Sequence, residues 1–333
     1  MKNKIASIYF SNDKTYLTIT ENKENSVFLH YLNSTQDAIN LHDVLSEKSS
    51  GAIFELFMMA ADFVDDLSQL NVTLHPEYAY TTTLAGELDL LSKNDIEELL
   101  ELEIRTGFEN KKLTDFDVNI VEKSTNTNTN TNTNTNTNTN TNTDINNNII
   151  IAELIPMEIK KAIGIALNDF GIELNNININ YSMMSVASSF AFNYPEHNDT
   201  SNLLITVYED ILEFLLISGN KILAYEFMTD FKEDVSEAII KKINQIMVNT
   251  KISSFSNLYF SGSGLTKSTF LEFGDIAALF GADMKRLNPF RMLRTNFEQR
   301  EREYCSRVFH LYVCCIGGAV PPYFNHKKLE NFI

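Results

Sequence analysis

The chain has 333 residues, of which 44 are acidic and 27 basic, so its formal net charge is −17 at pH 7. This excess of acid counts against a nucleic-acid partner, because phosphate binding needs a clustered surface of lysine and arginine. Hydrophobic residues make up 44% of the sequence, which allows a substantial core, and the length predicts about two or three domains.

No segment reaches the roughly 18 to 20 apolar residues that cross a bilayer. The best candidates, 53–64 and 308–320, are shorter and are interrupted by Glu55 and His310. The apolar start of the chain predicts a first strand rather than a signal peptide, so we expect a soluble, cytoplasmic protein without a transmembrane segment.

The six histidines and three cysteines show no paired ligand spacing, so no metal site is predicted. Cys305, Cys314 and Cys315 instead favour a reducing compartment and a packing role. A strained redox bond between the vicinal pair Cys314 and Cys315 is the alternative.

The first 106 residues predict strands followed by helices. Alternating or apolar runs at Ile5–Phe10, Thr15–Thr20 and Ser26–Tyr31 predict three strands, the first two joined by a turn. Helical periodicity follows at 36–47 and 53–67, and again at 87–106, where Ser92 can act as an N-cap.

A Thr-Asn dipeptide repeat runs from Thr125 to Asn142 and is followed by further asparagines. It has no apolar residue with which to offset the entropy of ordering, so 124–148 is predicted to be a disordered loop. The flanking segments 115–122 and 149–154 are typical of strands, which we expect to be neighbours in one sheet. The repeat is interpreted as a tolerated expansion, because lengthening a loop costs little; an Asn-rich association tract is the alternative.

A second strand–turn–strand unit at Leu203–Ile217 matches the first when the sequence is shifted by 198 positions, which places Tyr208 over Phe10 and Asp210 over Asn12. Each unit therefore opens one half of an internally repeated chain. Helices are predicted around it at 157–170, 182–192 and 233–248.

A short strand at 258–260 enters the turn Ser261-Gly262-Ser263-Gly264, and a helix is predicted at 268–280. Backbone N–H groups at a helix N-terminus can hold a phosphate. A Leu-Asn-Pro-Phe motif follows at Leu287–Phe290, and the last predicted helix covers 304–320. Between them, five arginines and three glutamates interleave over 291–307. This pattern favours a solvated, salt-bridged helix over a site for an anionic lipid or partner.

In this order, the pieces resemble the actin-like ATPase superfamily and, within it, the PilM family of type IV pilus assembly proteins, which is related to FtsA. The resemblance implies an α/β fold with two RNase H-like halves, an inserted α+β lobe and a reduced second small domain. The expected domains are 1–82, 83–172 and 173–333, with the helix 304–320 packing back on the first half. The helix 96–108 and the strands 115–122 and 149–153 match the inserted lobe.

The superfamily binds phosphate with an Asp-x-Gly motif in each hairpin, and this chain lacks both motifs. Thr206 and Tyr208 stand at the matching positions of the second hairpin, where a tyrosine ring would obstruct the phosphates. We therefore expect no catalytic residue, no ATPase activity and no cofactor. If ATP and Mg²⁺ bind at all, the vestigial site consists of the following residues: Gly262, Ser263, Gly264, Asp13 and Asp210. The two aspartates are otherwise typical turn residues.

The preferred hypothesis is a non-catalytic adaptor. The resemblance implies that a short cytoplasmic segment of an inner-membrane assembly protein binds between the main domain and the lobe, which would make the chain peripheral to that membrane. Candidate contacts are Glu97, Glu98, Glu101 and Ile104, where the acidic residues would steer a basic peptide. Simple packing of the lobe is the alternative for this helix.

Two rival hypotheses remain: an ATP-binding actin homologue with a rewired phosphate site that polymerises, and a paralogue of unrelated role that keeps only the fold. The sequence leaves open whether the chain forms a homo-oligomer.

Overall fold

The computed structural model of the chain describes residues 3–23, 26–43, 47–64, 66–85, 91–123, 149–168, 177–219, 221–229 and 235–331. The predicted Thr-Asn loop at 124–148 lies outside these residues. No helix within them is long and apolar enough to span a membrane.

The strands, in chain order, are β1 (Lys4–Phe10), β2 (Thr15–Lys23), β3 (Ser26–Ser34), β4 (Leu67–Leu74), β5 (Tyr80–Ala85), β6 (Phe116–Lys123), β7 (Ile149–Pro156), β8 (Ile177–Tyr181), β9 (Ser201–Val207), β10 (Ile211–Ser218), β11 (Lys221–Thr229), β12 (Asn257–Ser261), β13 (Asp283–Arg286), β14 (Arg294–Thr295) and β15 (Phe324–Lys328). The helices are α1 (Glu47–Met58), α2 (Ala61–Val64), α3 (Lys93–Gly107), α4 (Met157–Asn168), α5 (Ser182–Asn193), α6 (Val235–Thr250), α7 (Lys267–Glu272), α8 (Gly274–Phe280), α9 (Gln299–Val308) and α10 (Val313–Ala319).

Two sheets repeat one topology. The first has the order β14-β3-β2-β1-β4-β8 and the second β11-β10-β9-β12-β13. In each sheet, three consecutive strands pair antiparallel to one another. Two later strands extend the sheet beyond the first of these three and run parallel to it. The strands β1 and β9 are mostly buried along their length, as expected for sheets covered on both faces. The two predicted hairpins therefore open separate sheets, and the internal repeat is confirmed.

A third sheet, with the order β15-β6-β7-β5, forms the lobe. The side chains of Phe116, Val118 and Ile120 on one face form a core with buried residues of α3, whereas Val121 on the other face joins the core of the first half. The predicted pairing of β6 with β7 is confirmed. Its edge strand β15, which the sequence analysis did not predict, pairs with β6.

Four predicted helices differ from the structure. The predicted helix at 53–67 belongs to α1 and α2, and the chain then enters β4, while the 36–47 segment contains only a 3-10 turn at Leu41–Asp43. The predicted helix at 268–280 is two helices that meet at the fully buried Phe273. The predicted helix at 304–320 is divided by a 3-10 turn at Phe309–Leu311. There the carbonyl of His310 accepts a hydrogen bond from Gly262 N–H, 3.2 Å away.

The helix α10 packs on the first sheet. The Thr20 hydroxyl donates to the carbonyl of Ala319 over 2.6 Å, and the Cys315 thiol donates to the carbonyl of Ser7 over 3.1 Å. All three cysteines are free and buried, which confirms their packing role. In the second half, the described residues between β11 and β12 contain one helix, α6, in place of a full small domain.

Candidate functional site

Tyr208 fills the space between the two hairpins. It follows β9 directly and is 3% exposed. Its hydroxyl accepts from that of Tyr9 over 3.5 Å and donates to Glu213 Oε2 over 3.1 Å. Its ring meets the ring of His75, which follows β4, at 4.4 Å between centroids and nearly at right angles. One side chain therefore joins both halves at the position where the sequence resemblance implies a glycine.

Glu213 anchors Tyr208 in a buried hydroxyl network. Its carboxyl group is fully buried and accepts from Ser182 Oγ over 3.0 Å and from the Tyr225 hydroxyl over 3.0 Å, besides Tyr208. Burial raises the pKa of Glu213, and the hydroxyl donors partly offset this by stabilising the charged form. The network connects α5 and β11 to the hairpin β9–β10, so it stabilises the packing of Tyr208 between the two hairpins.

The glycine turn packs against the end of β9. A Cβ atom on Gly262 would lie 2.3 Å from the carbonyl oxygen of Val207, and one on Gly264 would lie 2.5 Å from that of Tyr208. The φ angle of Gly262 is +105°, which other residues rarely adopt. The N–H of Gly264 donates to the carbonyl of Val207 over 2.9 Å, and that of Gly262 is also bonded. Close packing of the turn thus explains both glycines, and their N–H groups are occupied.

Little space remains between the hairpins. A cavity of about 10 Å³ is lined by residues that include Asp13, Gly262 and Ser263, and it offers room for about one water molecule. Asp13 Oδ2 accepts from the Tyr16 hydroxyl over 2.7 Å, while Oδ1 is buried without a partner among the described residues. Asp210 is exposed on its turn. The structure therefore brings together three of the five predicted nucleotide residues and leaves Gly264 and Asp210 outside the cavity lining.

A much larger groove, of about 600 Å³, separates the β8 edge of the first sheet from the inner face of the lobe. Its wall is rich in carboxamides: Gln69, Asn71, Asn119, Asn178 and Asn180. Asn71 lies at the centre of this group. Its Oδ1 accepts from Gln69 over 2.8 Å and from Asn178 over 3.2 Å, and its Nδ2 donates to the carbonyl of Gly318 over 2.5 Å. These bonds hold the groove floor in a fixed arrangement.

The lobe contacts the outer edge of β8 through two side chains. Asn119 Nδ2 donates to the carbonyl of Ile179 over 3.2 Å, and Glu153 Oε1 accepts from the N–H of Tyr181 over 3.3 Å. Glu153 is fully buried, and its Oε2 lies 3.0 Å from His326 Nδ1. Burial would lower the pKa of His326, but the charge of Glu153 and this hydrogen bond outweigh burial and raise it. The edge strand thus remains outermost in its sheet while the lobe is held beside it.

Charges on the lobe side of the groove are paired. Asp117 Oδ2 accepts from Lys160 Nζ over 2.6 Å and from Lys328 Nζ over 2.7 Å. Burial would raise the pKa of Asp117, but the two lysines outweigh burial and lower it. Because Glu330 also lines the groove, its wall presents a balanced set of charges rather than an acidic surface.

The sequence matches no protein-family model and no curated protein. Its structure is similar to a chain of the PilM–PilN type IV pilus biogenesis complex, with a TM-score of 0.60 and 12% identity over 96% of this chain and 99% of that one. A Bacteroides thetaiotaomicron protein of unknown function with an actin-like ATPase fold gives 0.50 and 12%, over 85% and 91% of the two chains. The ethanolamine utilization protein EutJ from Carboxydothermus hydrogenoformans gives 0.44 and 9%, over 95% and 89%.

The chain has the actin-like ATPase fold. In this fold the sheets that begin with β1 and β9 are the two halves. The lobe lies between β4 and β8 in the chain, apart from its edge strand β15, which comes from the C-terminal part. The predicted fold class is confirmed. The identity of 12% to the chain of the PilM–PilN complex supports the shared actin-like fold alone, so membership of the PilM family stays a proposal.

The predicted contact residues on α3 do not line the groove of this actin-like fold. Glu98 and Glu101 are exposed, Glu97 is half-buried, and Glu101 pairs with Arg105 at 3.1 Å. Ile104 is 1% exposed in the lobe core and, with Glu101, lines a separate cavity of about 600 Å³, so its role as a contact residue stays a prediction. Because α3 covers the other face of the lobe sheet, the helical periodicity of its apolar residues reflects packing against that sheet. The groove residues were missed because they come from separate strands and carry no local motif.

Proposed function

We propose that this chain is a non-catalytic adaptor that holds an extended peptide in the groove between β8 and the lobe. The groove itself carries the proposal, because about 600 Å³ of carboxamide-lined space adjoins an outermost strand. The lobe already bonds the carbonyl of Ile179 and the N–H of Tyr181 on this strand, so the proposed contacts to a peptide backbone come from the carboxamides, each of which both donates and accepts. Such a wall suits the backbone of an extended peptide.

The class of partner rests on analogy. A chain of the PilM–PilN type IV pilus biogenesis complex has the same fold. By that analogy we propose an inner-membrane assembly protein that presents a cytoplasmic segment, with this chain in the cytoplasm and attached to the membrane through that partner.

The geometry between the hairpins supports the proposal that nucleotide binding and ATPase activity are absent. The cavity there measures about 10 Å³, and Tyr208 occupies the position that phosphates would need. The rival function, a polymerising ATP-binding protein, would require this side chain and the glycine turn to move apart. Their packing on Val207 and Glu213 opposes that movement.

The experiment compares capture of proteins from native membranes by the wild type, by Asn178→Tyr and by Asn249→Tyr. Asn178 is exposed on β8 and lines the groove, whereas Asn249 is exposed on α6 of the other half. Tyrosine fits a strand and fills the groove at the first position only. We expect one membrane protein to be captured by the wild type and by Asn249→Tyr but lost with Asn178→Tyr.

A synthetic peptide of that protein's cytoplasmic segment should then bind the wild type in calorimetry. Equal affinity for Asn178→Tyr would place the interface outside the groove and refute the proposal.

A further inference from the structure

A second cavity, of about 300 Å³, lies at the β14 edge of the first sheet, the edge opposite to β8. It is enclosed by β3, by the segment around β14 and by α9. Five of its lining side chains are large and apolar: Leu29, Phe290, Leu293, Phe297 and Phe309. It therefore shares no lining residue with the groove.

The Leu287–Phe290 motif shapes this cavity. The backbone N–H of Asn288 donates to the Tyr194 hydroxyl over 3.0 Å, and Asn288 Oδ1 accepts from the N–H of Phe290 over 3.0 Å. Phe290 reaches the ring of Tyr312 at 6.4 Å between centroids. The motif thus fixes an aromatic wall, a role that the adaptor function leaves unexplained.

The cavity wall contains a single charged side chain among the described residues, that of Arg302. Its Nε donates to the carbonyl of Phe297 over 2.8 Å, which holds the guanidinium at the cavity. Within 291–307, Arg291 pairs with Glu196, whereas the described residues offer Arg302 no carboxylate within 4 Å. Arginine is well suited to bind a carboxylate through two parallel N–H groups.

The glutamates of α9 are engaged elsewhere. Glu301 accepts from the N–H of Glu298 over 2.8 Å, and Glu303 accepts from Gln299 over 2.9 Å. The predicted solvated helix is confirmed by its exposed arginines and glutamates, whereas no ion pair of an α9 arginine is found among the described residues. The net charge of the chain is −17, but the wall of this cavity carries an arginine without an ion pair and no acidic side chain, so locally it favours a carboxylate over a cationic group.

We propose that this cavity docks a second partner protein through a segment that carries a bulky apolar side chain next to a carboxylate. The apolar side chain fills the space between the phenylalanines, as anchors of protein interfaces do. The carboxylate binds the free side of Arg302. The proposal does not rest on the peptide groove, and the opposite positions of the two sites would let one chain bridge two partners.

The test uses a phage-displayed library of random twelve-residue peptides against the folded full chain. Selections are run on the wild type, on Arg302→Glu, on Ser306→Phe and on Lys267→Glu. Ser306 is exposed and lines the cavity, so Phe there fills the cavity from the surface. Lys267 is exposed on α7 and controls for the change of charge.

We expect peptides that bind the wild type and Lys267→Glu but neither cavity variant, with an aromatic or leucine residue beside Asp or Glu. A synthetic copy should bind Arg302→Glu about tenfold or more weakly, the loss of one charge-assisted hydrogen bond. Circular dichroism checks that each variant is folded. If Arg302→Glu is not folded, the comparison of the wild type with Ser306→Phe still tests the proposal.

Three results would overturn the proposal. The first is that no peptide depends on the cavity, or that the dependent peptides lack an acidic residue. The second is binding to phosphatidylglycerol vesicles that requires Arg302 in the absence of such peptides, which would assign the site to a membrane surface. The third is self-association in sedimentation that Ser306→Phe abolishes, which would assign it to a second copy of the chain.

Discussion

The hydroxyl groups of Tyr9 and Tyr208 meet at 3.5 Å although 199 positions of sequence separate the two residues. Tyr9 belongs to the first hairpin and Tyr208 to the second, so this contact closes the space between the two hairpins. The Tyr208 side chain is held in two further directions, by its hydrogen bond to Glu213 and by its contact with the ring of His75.

We expect ATP with Mg²⁺ to leave the melting temperature of the protein unchanged. A ligand at about 100 times its dissociation constant would stabilise the fold by about 2.7 kcal/mol, which differential scanning fluorimetry detects easily. Stabilisation that is lost in Asp13→Asn would contradict the prediction, because it would show a nucleotide–metal site at that carboxylate.

Replacing Tyr208 by Phe should lower the free energy of unfolding by about 1 to 3 kcal/mol. The substitution removes one donor from the buried Glu213 and leaves the Tyr9 hydroxyl without its acceptor. Urea denaturation measures the change. Tyr80→Phe is the matched control, since Tyr80 is 40% exposed and the loss of its hydroxyl should change stability by less than about 0.5 kcal/mol.

Reversing the charges of Glu97, Glu98 and Glu101 to Lys should slow association with the groove partner and flatten its salt dependence. Because these residues lie outside the groove lining, dissociation should keep its wild-type rate. Stopped-flow measurements with the partner peptide separate the two rates. An increase in the dissociation rate would indicate that α3 contacts the peptide after all.

The protein should become less stable as the pH falls from about 7 to 5. Burial lowers the pKa of His75 to about 3 and, with Arg286, that of His310 to about 4, whereas an unfolded histidine has a pKa near 6.5. Below that value the unfolded state binds protons that the folded state does not, so stability is lost. His326 has a raised pKa and contributes the opposite trend, since its stabilisation is lost as the pH rises.

Melting curves of His75→Asn test this prediction. The Oδ1 atom of asparagine can replace His75 Nδ1 as the acceptor for Glu77 N–H, while the titrating group is removed. The decline in melting temperature between pH 6.5 and 5 should be shallower than in the wild type. A parallel decline would show that another group causes the acid sensitivity.

The hairpins, α5, α6 and the pair β6–β7 could be predicted from the sequence because their patterns are local. Alternation in 115–122 and a shared spacing of 198 positions in the hairpins both follow from strands that must bury defined faces. The start of β4 was missed, because the predicted helix at 53–67 runs past the turn residues Asp65 and Asp66. The length of the apolar run alone did not show where the helix ended and the strand began.

The candidate sites were harder to predict. Asn71, Asn119 and Asn178 lie on three different strands, and asparagine is far more often a turn residue, so no sequence pattern connects them. The motif around Gly262 was found, but its close approach to Val207 depends on tertiary packing. Tyr208 was recognised as an obstruction, whereas its partner Glu213 gave no signal within an apolar strand.

The late position of β15 in the chain has a consequence for the order of folding. Lys328 bonds to Asp117 across 211 positions of sequence, and β15 covers the edge of β6. Contacts this distant form slowly, and until they form, β6 is an open edge that can pair with other molecules. His326 and Lys328 also line the groove, so the partner site is completed only when this last strand docks. Under the proposed adaptor function, a chain caught partway through folding can therefore aggregate but would not bind a partner, so that only fully folded molecules would enter an assembly.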